Sequence, residues 1–383
     1  MTSGPSAPRA EARVDLEAIR SNVAALDAHA GPASVMAVVK ADGYGHGMLP
    51  TARAAVAGGA TWLGVATIDE ALALRAAGFT ARILAWLITP GERWDHAITA
   101  DVDVSVNSGW GIREVAGAAA VAGRPARVHL KVDSGLGRSG ATVADWPDLV
   151  DAALKAEADG YLQVSGIWSH FAYAAEPGHP TVAAQVRVFT DAVALAEQRG
   201  ARPEVRHLAN SAATFTLPAA HFDLVRPGIA VYGLSPVPQR HPPAELGLRP
   251  AMTLSARLML VKRVPADFGV SYGHEYRTTS ETSLGLVPLG YADGIPRDAT
   301  NIGPVLVAGR RRTIAGRVCM DQFVLDLGND PAVAGDEVLL FGPGDAGEPS
   351  AQEWADVLGT ISYEVLTRIG PRVPRTYREI IEP

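Results

Sequence analysis

Apolar residues recur along this chain in two rhythms. In the first, short apolar runs alternate with alanine-rich segments whose apolar positions repeat at helical spacing. The runs at 35–39, 62–66, 82–87, 102–106, 127–132, 162–168, 204–208 and 222–226 have the continuous character of strands buried on both faces. Helical patterns lie near 48–58, 68–77, 91–99, 109–122, 144–158, 180–199 and 210–216. Ahead of them, Asp15 can cap a helix in which Leu16, Ile19, Val23 and Leu26 share a face. Eight strand–helix alternations over about 230 residues predict an α/β fold of the (β/α)8 barrel type. A doubly wound open sheet is the competing arrangement, and eight units suit the barrel better.

The rhythm breaks near Ser235. Pro236-Val237-Pro238-Gln239-Arg240-His241-Pro242-Pro243 is too rich in proline for a helix or a central strand and reads as a linker. Beyond it the pattern predicts strands with turns, at 251–264, 284–290, 304–308, 311–318, 322–327 and 337–341. The expected organisation is a flexible N-terminus at 1–12, a barrel domain at 13–240 and a mostly β domain at 241–383.

Composition narrows the class. Of 383 residues, 48% are apolar, enough for a large core without disulfides, and the one cysteine, Cys319, suits a reducing compartment. A net charge of −7 gives no basic face, which argues against nucleic acid or anionic membrane partners. The first residues lack the apolar core of a signal peptide, and no run of about 18 apolar residues occurs. A cytoplasmic globular protein is expected.

The most informative chemistry lies at the first strand exit, Val35-Met36-Ala37-Val38-Val39-Lys40-Ala41-Asp42-Gly43-Tyr44-Gly45-His46-Gly47. A lysine leaving a parallel strand stands at the barrel mouth, where such folds keep their chemistry, and the glycines allow a sharp turn. Lys40 is one of only four lysines among 34 basic residues. Arginine cannot take the place of an amine in a Schiff base, so a retained lysine is informative. VVKADGYGHG resembles the cofactor-lysine motif of the alanine racemases, which use pyridoxal 5′-phosphate (PLP). The resemblance implies that Lys40 is the covalent attachment point and that Tyr44 binds the cofactor phosphate.

Six further motifs, in order across both domains, are similar to the same family. His129-Leu130-Lys131-Val132-Asp133-Ser134-Gly135-Leu136-Gly137-Arg138 matches its K-x-D-x-G-x-x-R element. There Arg138 would contact the cofactor and the substrate carboxylate. Lys131 would be carbamylated to hold Arg138, which requires a neutral amine. A surface position for Arg138 fits poorly with so glycine-rich a strand exit. Of His170 and His207, the resemblance places one near the cofactor ring and the other in support of an arginine. Two imidazoles without nearby carboxylates make a poor metal site, and no metal is expected. Asn210-Ser211 opens a helix suited to a phosphate. In Arg226-Pro227-Gly228-Ile229, Arg226 would meet the pyridine nitrogen, while Gly228 and Ile229 offer N–H groups to the phosphate. A guanidinium, with a pKa above ~12, keeps its proton, so the ring stays a weaker electron sink and reprotonation at Cα is favoured.

Racemisation needs a second acid–base group on the opposite face. The segment Ser271-Tyr272-Gly273-His274-Glu275-Tyr276 matches the one carrying the family's catalytic tyrosine, which reaches the partner's site, so Tyr272 implies a homodimer. By resemblance, Met320 offers its N–H to the substrate carboxylate, Tyr363 contacts the phosphate, and Tyr291, Arg297, Arg317 and Ile361 line the substrate corridor. Cys319 reads as a packing residue. One departure stands out: the family's acidic corridor residue falls on Ala175, with Glu176 next to it. The function implied is interconversion of L- and D-alanine, supplying D-alanine for peptidoglycan. A serine racemase, a barrel PLP decarboxylase and a PLP carrier are the competing readings; Arg226 and the second domain disfavour the last two.

Overall fold

In the computed structural model, which describes residues 8–378, the expected flexible segment 1–12 is corrected at its end. Ala10–Asp15 forms a strand, β1. Its Ala10, Ala12 and Val14 are buried and the residues between them partly exposed. Alanine makes that alternation faint in sequence. Residues 1–7 of the segment lie outside the described residues. Asp15 then caps the helix Leu16–Ala30, its Oδ1 accepting from the Ala18 N–H at 3.1 Å.

Contacts divide the chain into two units. One holds Ile19–Gly43 and Met48–Leu248; the other holds residues up to Ala18, Tyr44–Gly47 and the stretch from Arg249 onward. In the first unit the apolar runs become β2 (Ser34–Val38), β3 (Trp62–Val65), β4 (Arg82–Ala85), β5 (Asp103–Val106), β6 (Ala126–Lys131), β7 (Leu162–Trp168), β8 (Val205–His207) and β9 (Leu224–Val225). They form an eight-stranded sheet ordered β8-β7-β6-β5-β4-β3-β2-β9, every paired neighbour parallel. The two ends meet where Asn210 bridges Arg226 in parallel and the Arg226 N–H donates to Ala209 O at 3.0 Å. The sheet thus closes into the expected barrel, with helices between consecutive strands.

Strand side chains alternate, so residues two apart share a face. Met36, Trp62, Leu84 and Leu224 pack as one apolar cluster with Trp86 and Val205. Moving two residues along β6, β8 and β9 from His129, Val205 and Leu224 gives Lys131, His207 and Arg226. Period two therefore delivers these three side chains to the carboxyl ends of the strands. There the barrel's chemistry is expected.

The second unit contains a six-stranded sheet, a three-stranded sheet and a two-stranded ribbon. The expected strand 251–264 is broken in two: β10 (Met252–Arg257) lies in the largest sheet and β11 (Leu260–Val264) in the three-stranded one. The chain changes sheets at Leu258–Met259, a corner that a continuous apolar run does not announce. Two helices, Ala351–Leu358 and Ser362–Thr367, were also not expected. The first is fixed by a capping box, Ser350 with Glu353.

Candidate active site

Lys40 follows β2 after a single residue, Val39, and opens a left-handed turn: Ala41, Asp42 and Gly43 have φ of 53°, 52° and 62°. Such a run is costly for residues with a Cβ. Hydrogen bonds offset the cost, since Glu70 Oε1 accepts from the Ala41 N–H at 2.7 Å and Asp42 Oδ1 from the Met48 N–H at 2.8 Å. Glu70 is itself rigid, capping its own helix and accepting from Ala66 and Thr67. The Lys40 Nζ lies 5.8 Å from the Trp86 ring centroid. Burial, and then the charge of Arg138, lower the Lys40 pKa from its usual value, opposed by Glu70.

Three other cations face the same mouth. Lys131, at the end of β6, is buried with its Nζ 4.1 Å above the Trp168 ring. Desolvation, reinforced by Arg226 and Arg138, brings its pKa down to about 7. Arg138 is exposed, contrary to the expectation from its glycine-rich strand exit. It is nonetheless close enough to lower the pKa values of Lys40, Lys131 and His170. Arg226 is buried with no carboxylate partner among the described residues, and burial lowers its pKa to about 9, which leaves it charged at neutrality. Its guanidinium donates to Ser169 O at 2.8 Å, to His207 Nδ1 at 3.1 Å and to His170 Nδ1 at 3.2 Å. Both histidines thus serve one arginine. Burial, followed by the Arg226 charge, holds both well below the usual histidine pKa, as two neutral acceptors require.

Asn210 caps the helix Ser211–Thr216, accepting from the Ala213 N–H at 3.1 Å. Ser211 Oγ accepts from the Gly228 N–H at 2.7 Å, so the groups expected to meet a phosphate already adjoin one another, with Ile229 next in sequence. On the loop after β7, Ala175 and Glu176 are both exposed.

The remaining expected residues lie in the second unit. Tyr44 and Tyr363 are ring neighbours, 6.1 Å between centroids. Burial raises the Tyr44 pKa above the usual phenol value and pushes Tyr363 up to about 12, so both remain neutral donors. Tyr272 opens a short 3-10 turn and is 70% exposed. The segment before it is anchored: Ser271, at φ 60°, donates from Oγ to Arg317 O at 2.7 Å, and Arg317 pairs with Glu275. Met320 is also exposed, and its carbonyl accepts from the Ala292 N–H at 2.9 Å, beside Tyr291. Gly290 permits this approach, since a Cβ there would come within 2.4 Å of Met320 O. Arg297 and Ile361 are exposed as well.

Residues 14–236 match the family model described as alanine racemase, N-terminal domain, and residues 251–377 the one described as alanine racemase, C-terminal domain. The chain belongs to the alanine racemase family. It is 64% identical over 369 residues to the alanine racemase of Frankia casuarinae, with 96% of each chain covered. It is 63% identical to that of Streptomyces coelicolor, again with 96% of each covered. Among solved structures, alanine racemase from a D-cycloserine-producing Streptomyces lavendulae superposes with a TM-score of 0.97 at 58% identity, covering 98% of this chain and 99% of that one. The Corynebacterium glutamicum alanine racemase gives 0.86 at 36% identity, covering 97% and 100%.

Sequence reasoning missed several residues of this alanine racemase family site. Trp168 is the platform against which Lys131, Arg226 and His207 pack, its ring stacked on His207 at 5.6 Å and held by Ser105. Glu70, which secures the Lys40 turn, was not singled out from the sequence. Asp103 was not singled out either, and His129 figured only as the first residue of the segment that carries Lys131 and Arg138. Period-two counting from Lys131 could have placed His129 on the inner face.

Proposed function

We propose that this protein interconverts L- and D-alanine as a PLP-dependent racemase whose active sites are shared within a homodimer. The observation that carries the reading is the barrel mouth itself. Two amines, Lys40 and Lys131, are driven toward neutrality at strand exits of the same barrel that carries the charged Arg226, two neutral imidazoles and a Ser211–Gly228 cradle. Nearly full-length similarity to alanine racemases supports it. The donor set fits the cofactor: Lys40 would attach it, Tyr44, Ser211, Gly228, Ile229, Tyr363 and the Asn210-capped turn would hold its phosphate, Arg226 its ring nitrogen, and His170 its ring.

When bound, PLP withdraws electron density from the Cα–H bond and so acidifies it. The chain's own residues do the rest. The Lys40 Nζ, partly desolvated, accepts or returns the proton on the D face. The phenol of Tyr272 of the partner subunit does so on the L face. Arg138 and the Met320 N–H fix the substrate carboxylate, which sets the direction of the reacting bond. Lys131 as a carbamate would hold Arg138 by charge. Arg226, a donor that takes up no proton, would leave the ring nitrogen unprotonated and so favour return of the proton to Cα. His207 steadies Arg226, while Tyr291, Arg297, Arg317 and Ile361 line the corridor. We place the enzyme in the cytoplasm, supplying D-alanine for wall synthesis. Among the described residues no helix is long and apolar enough to cross a membrane.

The test is an absorption spectrum and a D/L assay on purified wild type, Lys40→Ala and Tyr272→Phe. Wild type should carry the visible band of lysine-bound cofactor and racemise alanine faster than serine. Lys40→Ala should lose the band. Tyr272→Phe should keep the band yet lose racemisation in both directions. A fully active Tyr272→Phe enzyme would rule out the two-base scheme, and faster turnover of L-serine would move the substrate.

A further inference from the structure

The barrel buries polar side chains as well as apolar ones. Beside Met36, Leu84 and Leu224 runs a line of polar side chains: Asp103 on β5, which pairs with Leu84, His129 on β6 and His207 on β8, leading to Arg226 after β9. Asp103, His129 and His207 are fully buried and Arg226 is nearly so. Consecutive members are hydrogen-bonded: Asp103 Oδ2 to His129 Nε2 at 3.1 Å, His129 Nδ1 to His207 Nε2 at 2.8 Å, and His207 Nδ1 to Arg226 Nη1 at 3.1 Å. Space is reserved for them. Gly166 on β7 pairs with His129, and a Cβ there would sit 2.4 Å from His129 Nδ1. Trp62 closes the other side of His129, edge-on at 5.6 Å.

The proton positions along this line have one consistent solution. A guanidinium only donates, so His207 Nδ1 must accept and its proton sits on Nε2. That N–H faces His129 Nδ1, which must accept in turn, so the His129 proton sits on Nε2 and points at Asp103. A carboxylate only accepts. Asp103 is held in that form by two further donors at the amino end of the barrel, Arg82 and Arg127, each at 2.6 Å. Both ends of the line therefore impose the same direction, and bonds aligned in this way reinforce one another. Any other arrangement, including a doubly protonated His129, sets two donors against each other in a dry interior and leaves a buried group unsatisfied.

We propose that Asp103 and His129 are positioning residues for the reaction: through His207 they hold Arg226 as a fixed, oriented donor at the floor of the site. This rests on the reading that Arg226 meets the cofactor ring nitrogen. The role needs direction more than bulk. At position 129 glutamine can keep the direction, its carbonyl accepting from His207 and its amide donating to Asp103, while leucine of similar size cannot.

Two measurements test it. In the full-length protein without cofactor, ¹⁵N-histidine NMR, with peaks assigned through His129→Gln and His207→Asn, should find both His129 and His207 neutral and protonated on Nε2. A proton on Nδ1 of either, or an imidazolium at His129, overturns the proposal whatever the enzyme's activity. In the holoenzyme, His129→Leu and Asp103→Leu should each lower kcat about ten- to hundred-fold, the range for outer hydrogen-bond partners of a site, with KM within about three-fold. His129→Gln should restore most of what His129→Leu loses. Equal loss in the Gln and Leu variants overturns the proposal, and this pair decides if Asp103→Leu does not fold. If wild type racemises nothing, the proposed function fails while the NMR result still stands or falls alone.

Discussion

Lys40 and Lys131 have both lost water, and the degree matters. Lys131 is the more extreme: its pKa near 7 lies below the ordinary 10.5, so across that window the unfolded chain binds the extra proton. Stability from this group therefore rises with pH between about 7 and 10.5 and is penalised below. In carbonate-free buffer, Lys131→Met should flatten the climb in urea midpoint between pH 7 and pH 9. An unchanged climb would show that the amine is solvated. The same neutral amine can add carbon dioxide. With ¹³C-bicarbonate, a carbamate resonance should grow from pH 6 to pH 8 and vanish in Lys131→Met. Its absence at pH 8 from wild type would leave Arg138 without the anion proposed to hold it.

At the scale of elements, the turn after β2 is where local strain and chemistry coincide. Ala41 occupies a left-handed conformation that costs an alanine about 1–2 kcal/mol, only part of which glycine gives back as unfolded-chain entropy. Ala41→Gly should therefore stabilise the protein, by about 0.5–1 kcal/mol, seen as a higher urea midpoint at unchanged m. A lower midpoint would contradict the strain reading. Glu70 works against the same strain, so Glu70→Ala should lower the midpoint. The eight barrel strands were legible because parallel strands buried on both faces are continuous apolar runs. β1 was not, because its buried face is mostly alanine, and the corner at Leu258–Met259 was hidden inside one apolar stretch. In the site, residues next to glycine-rich strand exits could be read, since glycine marks the exit. Asp103, His129 and Trp168 could not: their roles depend on which strand lies across the barrel, and linear spacing carries no trace of that. Arg138 shows the converse, a residue in a legible motif whose exposure the motif did not foretell.

At the scale of the whole molecule, the second unit leaves large side chains uncovered. Tyr272 is 70% exposed, Ile361 59% and Met320 53%, three large solvent-facing side chains among residues expected to serve the site. A second copy of the chain placed over them would account for their exposure, as the proposed shared site requires. Sedimentation should then give a dimer at assay concentrations. The most direct test mixes Lys40→Ala with Tyr272→Phe, each nearly inactive, under conditions where subunits exchange. Half the dimers become mixed, and in each of these one site pairs an intact Lys40 with an intact Tyr272 while the other has neither. Activity should recover to about a quarter of wild type. A mixture that exchanges subunits and stays inactive would mean that both residues act within one chain, and would contradict the shared site.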